Sequence, residues 1–178
     1  VTFLDTAFTI NNAAGVGNSD RNNLAVDFHD VAVISYAGDT FTEAVANDGS
    51  ITDKLVVTLT DDAFAGVDTQ PLTEGVHFTA SNVPSTLTLV ITQNSSTQVT
   101  ISFTGSADAH AAGNSIGNLG VTFLDDAFAS NNAGIVTGAS KPDLSITFND
   151  PGVITWGGDT FTEHADNDGS IGNTIVLT

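Results

Sequence analysis

The chain has no cysteine and no methionine, and only three of its 178 residues are basic: Arg21, Lys54 and Lys141. Without cysteine there is neither a disulfide framework nor a zinc ribbon, and the thiol indicator of redox compartment is gone. Three basic residues stand against 21 Asp and Glu, for a formal net charge of −18. That balance excludes nucleic acid and anionic lipid as partners, because both demand clustered cations to displace counterions. No apolar run approaches the about 20 residues of a membrane span, and nothing at Val1 resembles a signal peptide, so membrane insertion is not expected. Disorder is not expected either. Charged residues make up only 13% of the chain and hydrophobic ones 40%, which is enough apolar material for a core. The acidic surface does attract divalent cations, and Ca²⁺ takes the carboxylate and carbonyl oxygens that Asp- and Asn-rich loops supply.

What the chain has instead is repetition. VTFLDTAFTINNA at Val1 returns as VTFLDDAFASNNA at Val121, 120 positions later, and residues 1–58 align with 121–178 without a gap at about half identity. Self-similarity at a fixed period marks tandem repeats. The best-kept block is GDTFTE followed by NDGSI, at Gly38–Glu43 and Asn47–Ile51, and again at Gly158–Glu163 and Asn167–Ile171. LAVDF at Leu24 and LSITF at Leu144 restart the pattern after Asn-rich loops. We therefore expect 1–23 to be the end of a preceding repeat, 24–143 a complete repeat, and 144–178 the start of the next, the whole excerpted from or processed out of a longer array. Within the period, LVVTLTDDAFAG (Leu55–Gly66) resembles LGVTFLDDAFAS (Leu119–Ser130), so each period reads as two related halves.

Periodicity assigns these halves to strands. In TLTLVIT-QNSS-TQVTISFT, Leu87, Leu89 and Ile91, then Val99, Ile101 and Phe103, alternate with Thr, Val or Ser about a four-residue turn, the pattern of a hairpin. No stretch keeps a 3.6-residue apolar period for the length of a normal helix; SADAHAAGNS, near Ala107–Ala112, has room for one or two turns before Gly113. Seven or eight short strands per period, punctuated by Gly, Asn and Asp, predict an all-β fold, an antiparallel immunoglobulin-like β-sandwich repeated every 120 or so residues.

The FTE, NDGSI and VTLTDDAFAG segments and the NVPSTLTLVITQNSSTQVTISFTG hairpin resemble tandem immunoglobulin-like, Calx-β-like or cadherin-like sandwich repeats of large bacterial extracellular surface proteins. The element shared with Calx-β repeats is Phe-x-Glu followed by a Gly turn, here Phe41, Glu43 and Gly49. The resemblance implies an extracellular, cell-surface structural or adhesive role, often with calcium.

Candidate sites follow from where oxygens gather. Asp5, Asp61 with Asp62, and Asp125 with Asp126 each follow a strand and precede Ala-Phe. They suit an Asp cap on a short turn whose Phe8, Phe64 or Phe128 plugs the end of a sandwich. Read as calcium ligands they need oxygens from another loop, because Ca²⁺ wants six to eight. Asp39, Glu43, Asn47 and Asp48, with Asp159, Glu163, Asp166 and Asp168 in the second copy, form the denser cluster, although Asp48-Gly49 and Asp168-Gly169 are also ordinary turn residues. No loop matches the EF-hand or the Gly-rich nonapeptide. The four histidines, His29, His77, His110 and His164, have no zinc spacing and read as surface residues. No nucleophile elbow or phosphate loop is present, so an enzyme is not expected. Tyr36 and Trp156 occupy equivalent positions and fit a core or interface better than a sugar-stacking face, and Asn94-Ser95-Ser96 is a lone glycosylation sequon. The expected function is a structural repeat of a secreted bacterial filament, stalk or adhesin that joins copies of itself head to tail. The alternative is a calcium-dependent adhesive module or a binder of host or cell-surface glycans.

Overall fold

Alternation of apolar and hydroxylated residues builds eight strands, in a computed structural model that describes residues 1–178 apart from Ser19, Asn22, Asp27 and His29. They are β1 (Val33–Tyr36), β2 (Thr40–Thr42), β3 (Leu55–Thr60), β4 (Phe78–Ser81), β5 (Thr88–Ser95), β6 (Gln98–Thr104), β7 (Ile116–Phe123) and β8 (Ser140–Thr147). Two four-stranded sheets result, in the orders β1-β3-β6-β5 and β2-β8-β7-β4. Period-2 patterning gives each sheet one apolar face: Leu55, Val57 and Leu59 on β3, Leu89 and Ile91 on β5, Val99, Ile101 and Phe103 on β6. The second sheet answers with Phe41, Phe78, Leu119, Val121, Phe123, Leu144 and Ile146, and all of these residues belong to one buried cluster. Each fully buried Val, Leu, Ile or Phe contributes about 1.5–3 kcal/mol over its exposed state, so this shared face holds the two layers together.

The β5–β6 hairpin forms in the expected register, Leu89 opposite Phe103 and Ile91 opposite Ile101. Its loop is tighter than expected. β5 runs on to Ser95, with a register shift between Gln93 and Ser95, which leaves Ser96 and Thr97 as the turn. The segment near Ala107–Ala112 makes no α-helix; a single 3-10 turn at Ala112–Asn114 takes its place.

The expectation of purely antiparallel sheets needs correction. The first sheet is antiparallel throughout, but β2 pairs with β8 in parallel, Thr40 opposite Ser145 and Phe41 opposite Ile146. Alternation reports which face a residue takes and is silent on the direction of the partner strand; a parallel pair needs only a long crossover connection, which the intervening strands provide. The expected junction between Asp143 and Leu144 falls inside β8, whose Leu144 and Ile146, followed by Phe148, are core residues of the same sandwich. A repeat alignment establishes the period and leaves its starting phase open.

The chain divides into two units, Val1–Val31 and Ala32–Thr178. In the first, Thr2 is bridged to Asp20, 3-10 turns span Asp5–Ala7 and Ala13–Gly15, and Phe3 meets Phe8 edge-on at 6.0 Å. Val1, Phe3, Leu4, Leu24, Val26 and Phe28 are all at least half exposed. The second unit holds the sandwich. Beyond it, Pro151–Thr178 is exposed except for a half-buried Ile175, with isolated bridges from Trp156 to Leu177 and from Glu163 to Ile171. Among the described residues no helix is long and apolar enough to cross a membrane.

Candidate functional site

Glu43 leaves the end of β2 pointing inward, and its carboxylate is completely shielded from solvent. Four groups from three parts of the chain converge on its two oxygens. Oε1 accepts from the backbone N–H of Gly49 at 2.8 Å and lies 2.9 Å from His110 Nδ1. Oε2 accepts from the N–H of Asn149 at 2.9 Å and from Asn47 Nδ2 at 3.2 Å. The Asn149 N–H, just past β8, is the main reason the Glu43 carboxyl titrates below its ordinary value; burial opposes it, and the Gly49 N–H and His110 add to it. The NDGSI loop is shaped for this. Gly49 has φ of +79°, and a Cβ there would stand 2.4 Å from the carbonyl oxygen of Ala107, so only glycine fits. Asp48 Oδ1 closes the turn by accepting from the Ser50 N–H at 3.0 Å and its hydroxyl at 2.6 Å, and the Ser50 hydroxyl is the first cause of its lowered pKa. The result is an internal clasp that ties β2, the His110 segment and the exit of β8 together. An open polar cleft of about 380 Å³ lies beside it, lined in part by Asn47, Asp108, His110, Asn149 and Asp150.

A second constellation joins the two halves of the period. Ala65 N–H donates to the Ala127 carbonyl at 2.9 Å and Ala129 N–H to the Ala63 carbonyl at 2.7 Å, a reciprocal pair between the two DDAF motifs. Phe64 and Phe128 stack at 6.0 Å, and both pack on Phe123. Phe64 and Phe128 therefore close one end of the core. Asp62 spans this contact, accepting from its neighbour Ala63 N–H at 2.7 Å and from the Ser130 hydroxyl at 2.6 Å. Asp125 makes no side-chain cap of its own turn; its Oδ1 reaches forward to the N–H of Ala133 at 2.7 Å. Asp126 accepts from Asn131 Nδ2 at 2.9 Å.

These contacts bear on the expected calcium ligands. Among the described residues, no three of His, Cys, Asp and Glu gather as a metal-holding group. Asp39 binds the Thr40 hydroxyl, Asp61 sits at a turn with φ of +60°, and Asp159 binds the Thr160 hydroxyl. Glu163 accepts from the Gly169 N–H at 2.6 Å, and Asp168 from the Ser170 N–H at 2.9 Å. Glu43 fits calcium least, since four nitrogens already surround its oxygens. A hard cation needs six to eight oxygens converging on one point, and each of these carboxylates other than Asp61 is turned instead toward a nearby donor.

The reading of the histidines as surface residues fails for His110, which is a third exposed and reaches Glu43; it lies in the unrepeated middle of the period, where no motif flagged it. His77 Nδ1 accepts from the Thr73 N–H at 2.9 Å, His164 Nδ1 lies 3.2 Å from Asp166, and His29 falls outside the described residues. Gln93 was also missed. It occupies a core position on β5, 2% exposed, and donates to Asp68 Oδ1 at 3.0 Å. Tyr36 is half-buried, with its hydroxyl donating to the Gly138 carbonyl at 3.1 Å, while its counterpart Trp156 is 66% exposed.

Two packed sheets closed by internal clasps define a nearly all-β, sandwich-like protein. No protein-family model matches the chain, and no curated protein matches it. Among solved structures, one with similarity is chitinase ChiW from Paenibacillus sp. str. FPU-7, at 14% identity and a TM-score of 0.42, over 80% of this chain and 15% of that one. That protein is described as a novel type of bacterial cell-surface-expressed multi-modular enzyme machinery. The present chain corresponds to 15% of its length.

Proposed function

We propose that this chain is a structural repeat of a secreted bacterial surface filament, stalk or adhesin, in which immunoglobulin-like sandwiches with a period of 120 residues, each built from two related halves, join end to end. One observation carries the reading: the sequence repeat is also a repeat of local geometry. The Asp5 carboxylate holds the Ala13 N–H at 2.7 Å as Asp125 holds that of Ala133, and Glu163 holds Gly169 as Glu43 holds Gly49. A shaft made of such modules works by stiffness and by repetition, and needs no reacting group. In keeping with that role, the clasp carboxylates are engaged by nearby donors. Extracellular placement belongs to the same proposal and is supported by the resemblance to surface repeats.

Negative-stain electron microscopy of the native material, together with protease shaving of intact cells, tests this function. Linear particles with a regular axial repeat, removed by shaving, are expected. Compact particles retained inside intact cells would refute it.

A further inference from the structure

The turn inside the clasp contains a main-chain linkage that rearranges readily without any enzyme. In an Asp-Gly pair the glycine amide nitrogen, unhindered by a side chain, attacks the side-chain carbonyl carbon of the aspartate. A C–N bond forms and a carboxyl oxygen leaves as water, taking the carboxyl proton and the amide proton, which closes a succinimide ring. Water then reopens the ring, and opening at the main-chain carbonyl leaves the chain running through the side chain, with a methylene added to the backbone. Asp-Gly occurs in this chain at Asp48-Gly49 and Asp168-Gly169. Both reacting groups of the first pair are held by the fold. The Gly49 N–H donates to Glu43 Oε1 at 2.8 Å, and Asp48 Oδ1 accepts from the Ser50 N–H at 3.0 Å and the Ser50 hydroxyl at 2.6 Å. Matching bonds recur at the second pair, from the Gly169 N–H to Glu163 at 2.6 Å and from the Ser170 N–H to Asp168 at 2.9 Å.

We propose that Glu43 and Ser50 guard the Asp48-Gly49 linkage against isomerisation, one by holding the attacking nitrogen and the other by holding the carboxyl group it would attack. This role goes beyond the shaft function and does not rest on it. To reach the Asp48 carbon, the Gly49 nitrogen must leave a buried, charge-assisted hydrogen bond, and the turn has no slack to let it. Gly49 is buried, its carbonyl accepts from the Ala107 N–H at 2.9 Å, and the Ala44 N–H donates to the Ser50 carbonyl at 2.8 Å. Glu43 is a poor base for the amide proton, because the Asn149 N–H, and after it the Gly49 N–H and His110, favour its charged form. The Ser50 hydroxyl likewise favours an ionised Asp48, and an ionised carboxylate parts with its oxygen far less readily than the neutral acid. The product is excluded as well. A Cβ on Gly49 would already stand 2.4 Å from the Ala107 carbonyl oxygen, so the turn has no room for a longer backbone.

The test ages the native chain at neutral pH beside the same chain in guanidinium chloride, and beside Glu43→Gln and Ser50→Ala. Isomerisation is read site by site by digestion with endoproteinase Asp-N, which cuts before aspartate and not before its isomer, and by mass spectrometry of the fragments. The Asp48-Gly49 linkage should isomerise at least about tenfold more slowly in the native chain than in denaturant, the factor that one hydrogen bond to a charged group supplies. Glu43→Gln should recover most of that factor. Ser50→Ala, which removes only a hydroxyl from a half-buried position, should raise the rate by about threefold or more with its melting temperature unchanged, and it decides the matter if Glu43→Gln does not fold. In both variants Asp168-Gly169, whose Glu163 and Ser170 are untouched, should keep its native rate. Equal rates at Asp48-Gly49 with and without denaturant overturn the proposal. So does either variant, folded, that isomerises there no faster than the native chain; a slower Glu43→Gln would make Glu43 the base that drives the reaction. These outcomes leave the filament reading to microscopy.

Discussion

Phe41 and Phe161 lie in the same hexapeptide, GDTFTE, and differ only in what surrounds them. Phe41 is completely buried and meets Phe103 edge-on, with ring centroids 4.9 Å apart and planes at 89°; Phe161 is 61% exposed. Phe41→Ala removes a ring from a closed core and costs about 3–5 kcal/mol in lost transfer energy and cavity together. Of that, about 0.5–1.5 kcal/mol belongs to the edge-on pair. Phe161→Ala takes away a ring that is already largely in water, so its effect on the sandwich stays within about 0.5 kcal/mol. The assay is urea unfolding of the dilute protein followed by far-UV circular dichroism, with thermal melts beside it. At about 2–4 °C per kcal/mol for a domain of this size, Phe41→Ala should lower Tm by about 10 °C while Phe161→Ala leaves it in place. Phe103→Ala, alone and combined with Phe41→Ala, isolates the aromatic pair through a double-mutant cycle. Similar losses from Phe41→Ala and Phe161→Ala would refute the assignment of one ring to the core and the other to solvent.

The Glu43 carboxyl has a folded pKa below its ordinary value of 4.5, so its contribution is complete above that value and is lost as pH falls through the folded one. Thermal melts across acidic pH should show a steeper loss for the native protein than for Glu43→Gln; parallel curves would remove the clasp from the stability of the fold. Gly49→Ala forces a Cβ to within 2.4 Å of a backbone oxygen at φ of +79°, whereas Gly169→Ala, at φ of +84°, meets nothing within 4 Å. Guanidinium unfolding should register a loss of about 2 kcal/mol or more for the first and no change in the sandwich transition for the second. Burial, and secondarily the Asp143 carboxylate, push the Tyr36 hydroxyl above its usual pKa of 10.0. It is the single tyrosine, so its ultraviolet titration should be displaced to alkaline pH, and a midpoint at the free value would place it in water. Among the described residues no three candidate carboxylates gather at one point, so melting temperatures in chelator and in millimolar Ca²⁺ should coincide; a rise with Ca²⁺ would reveal a ligand set that the folded geometry does not bring together.

Much of this architecture is written in local pattern. The alternation around Leu89, Ile91, Val99 and Ile101 specifies a hairpin and the faces its residues take, because a one-residue slip would turn every apolar side chain outward. Phe64 and Phe128 follow the same logic: an aromatic after an Asp turn at a strand end has a core to close. The parallel β2–β8 pairing was not legible, since Thr40–Thr42 and Ser145–Thr147 would read the same in either direction. The role of Glu43 was hidden for a related reason. Its cluster of Asp and Asn neighbours looks like a cation loop, and only the fold brings up the Asn149 N–H, 106 residues away, and His110 from the unrepeated middle. Donors that arrive from a distance turn a would-be ligand into a structural acceptor.

The β2–β8 pair also has a consequence in time. During synthesis β2 emerges about a hundred residues ahead of the strand it must lie beside, and contacts of such sequence separation form slowly because the loop between them must first close. Until then the Thr40–Thr42 edge waits open. The similar segment waiting nearest is an earlier one, LAVDF at Leu24, which shares Leu, Phe and the apolar alternation with LSITF at Leu144. Closing the sandwich is thus a race between a near impostor and a distant true partner, the characteristic hazard of tandem chains. The two segments differ in what leads into them, Lys141, Pro142 and Asp143 before the apolar part of β8 and Arg21 with two Asn before LAVDF.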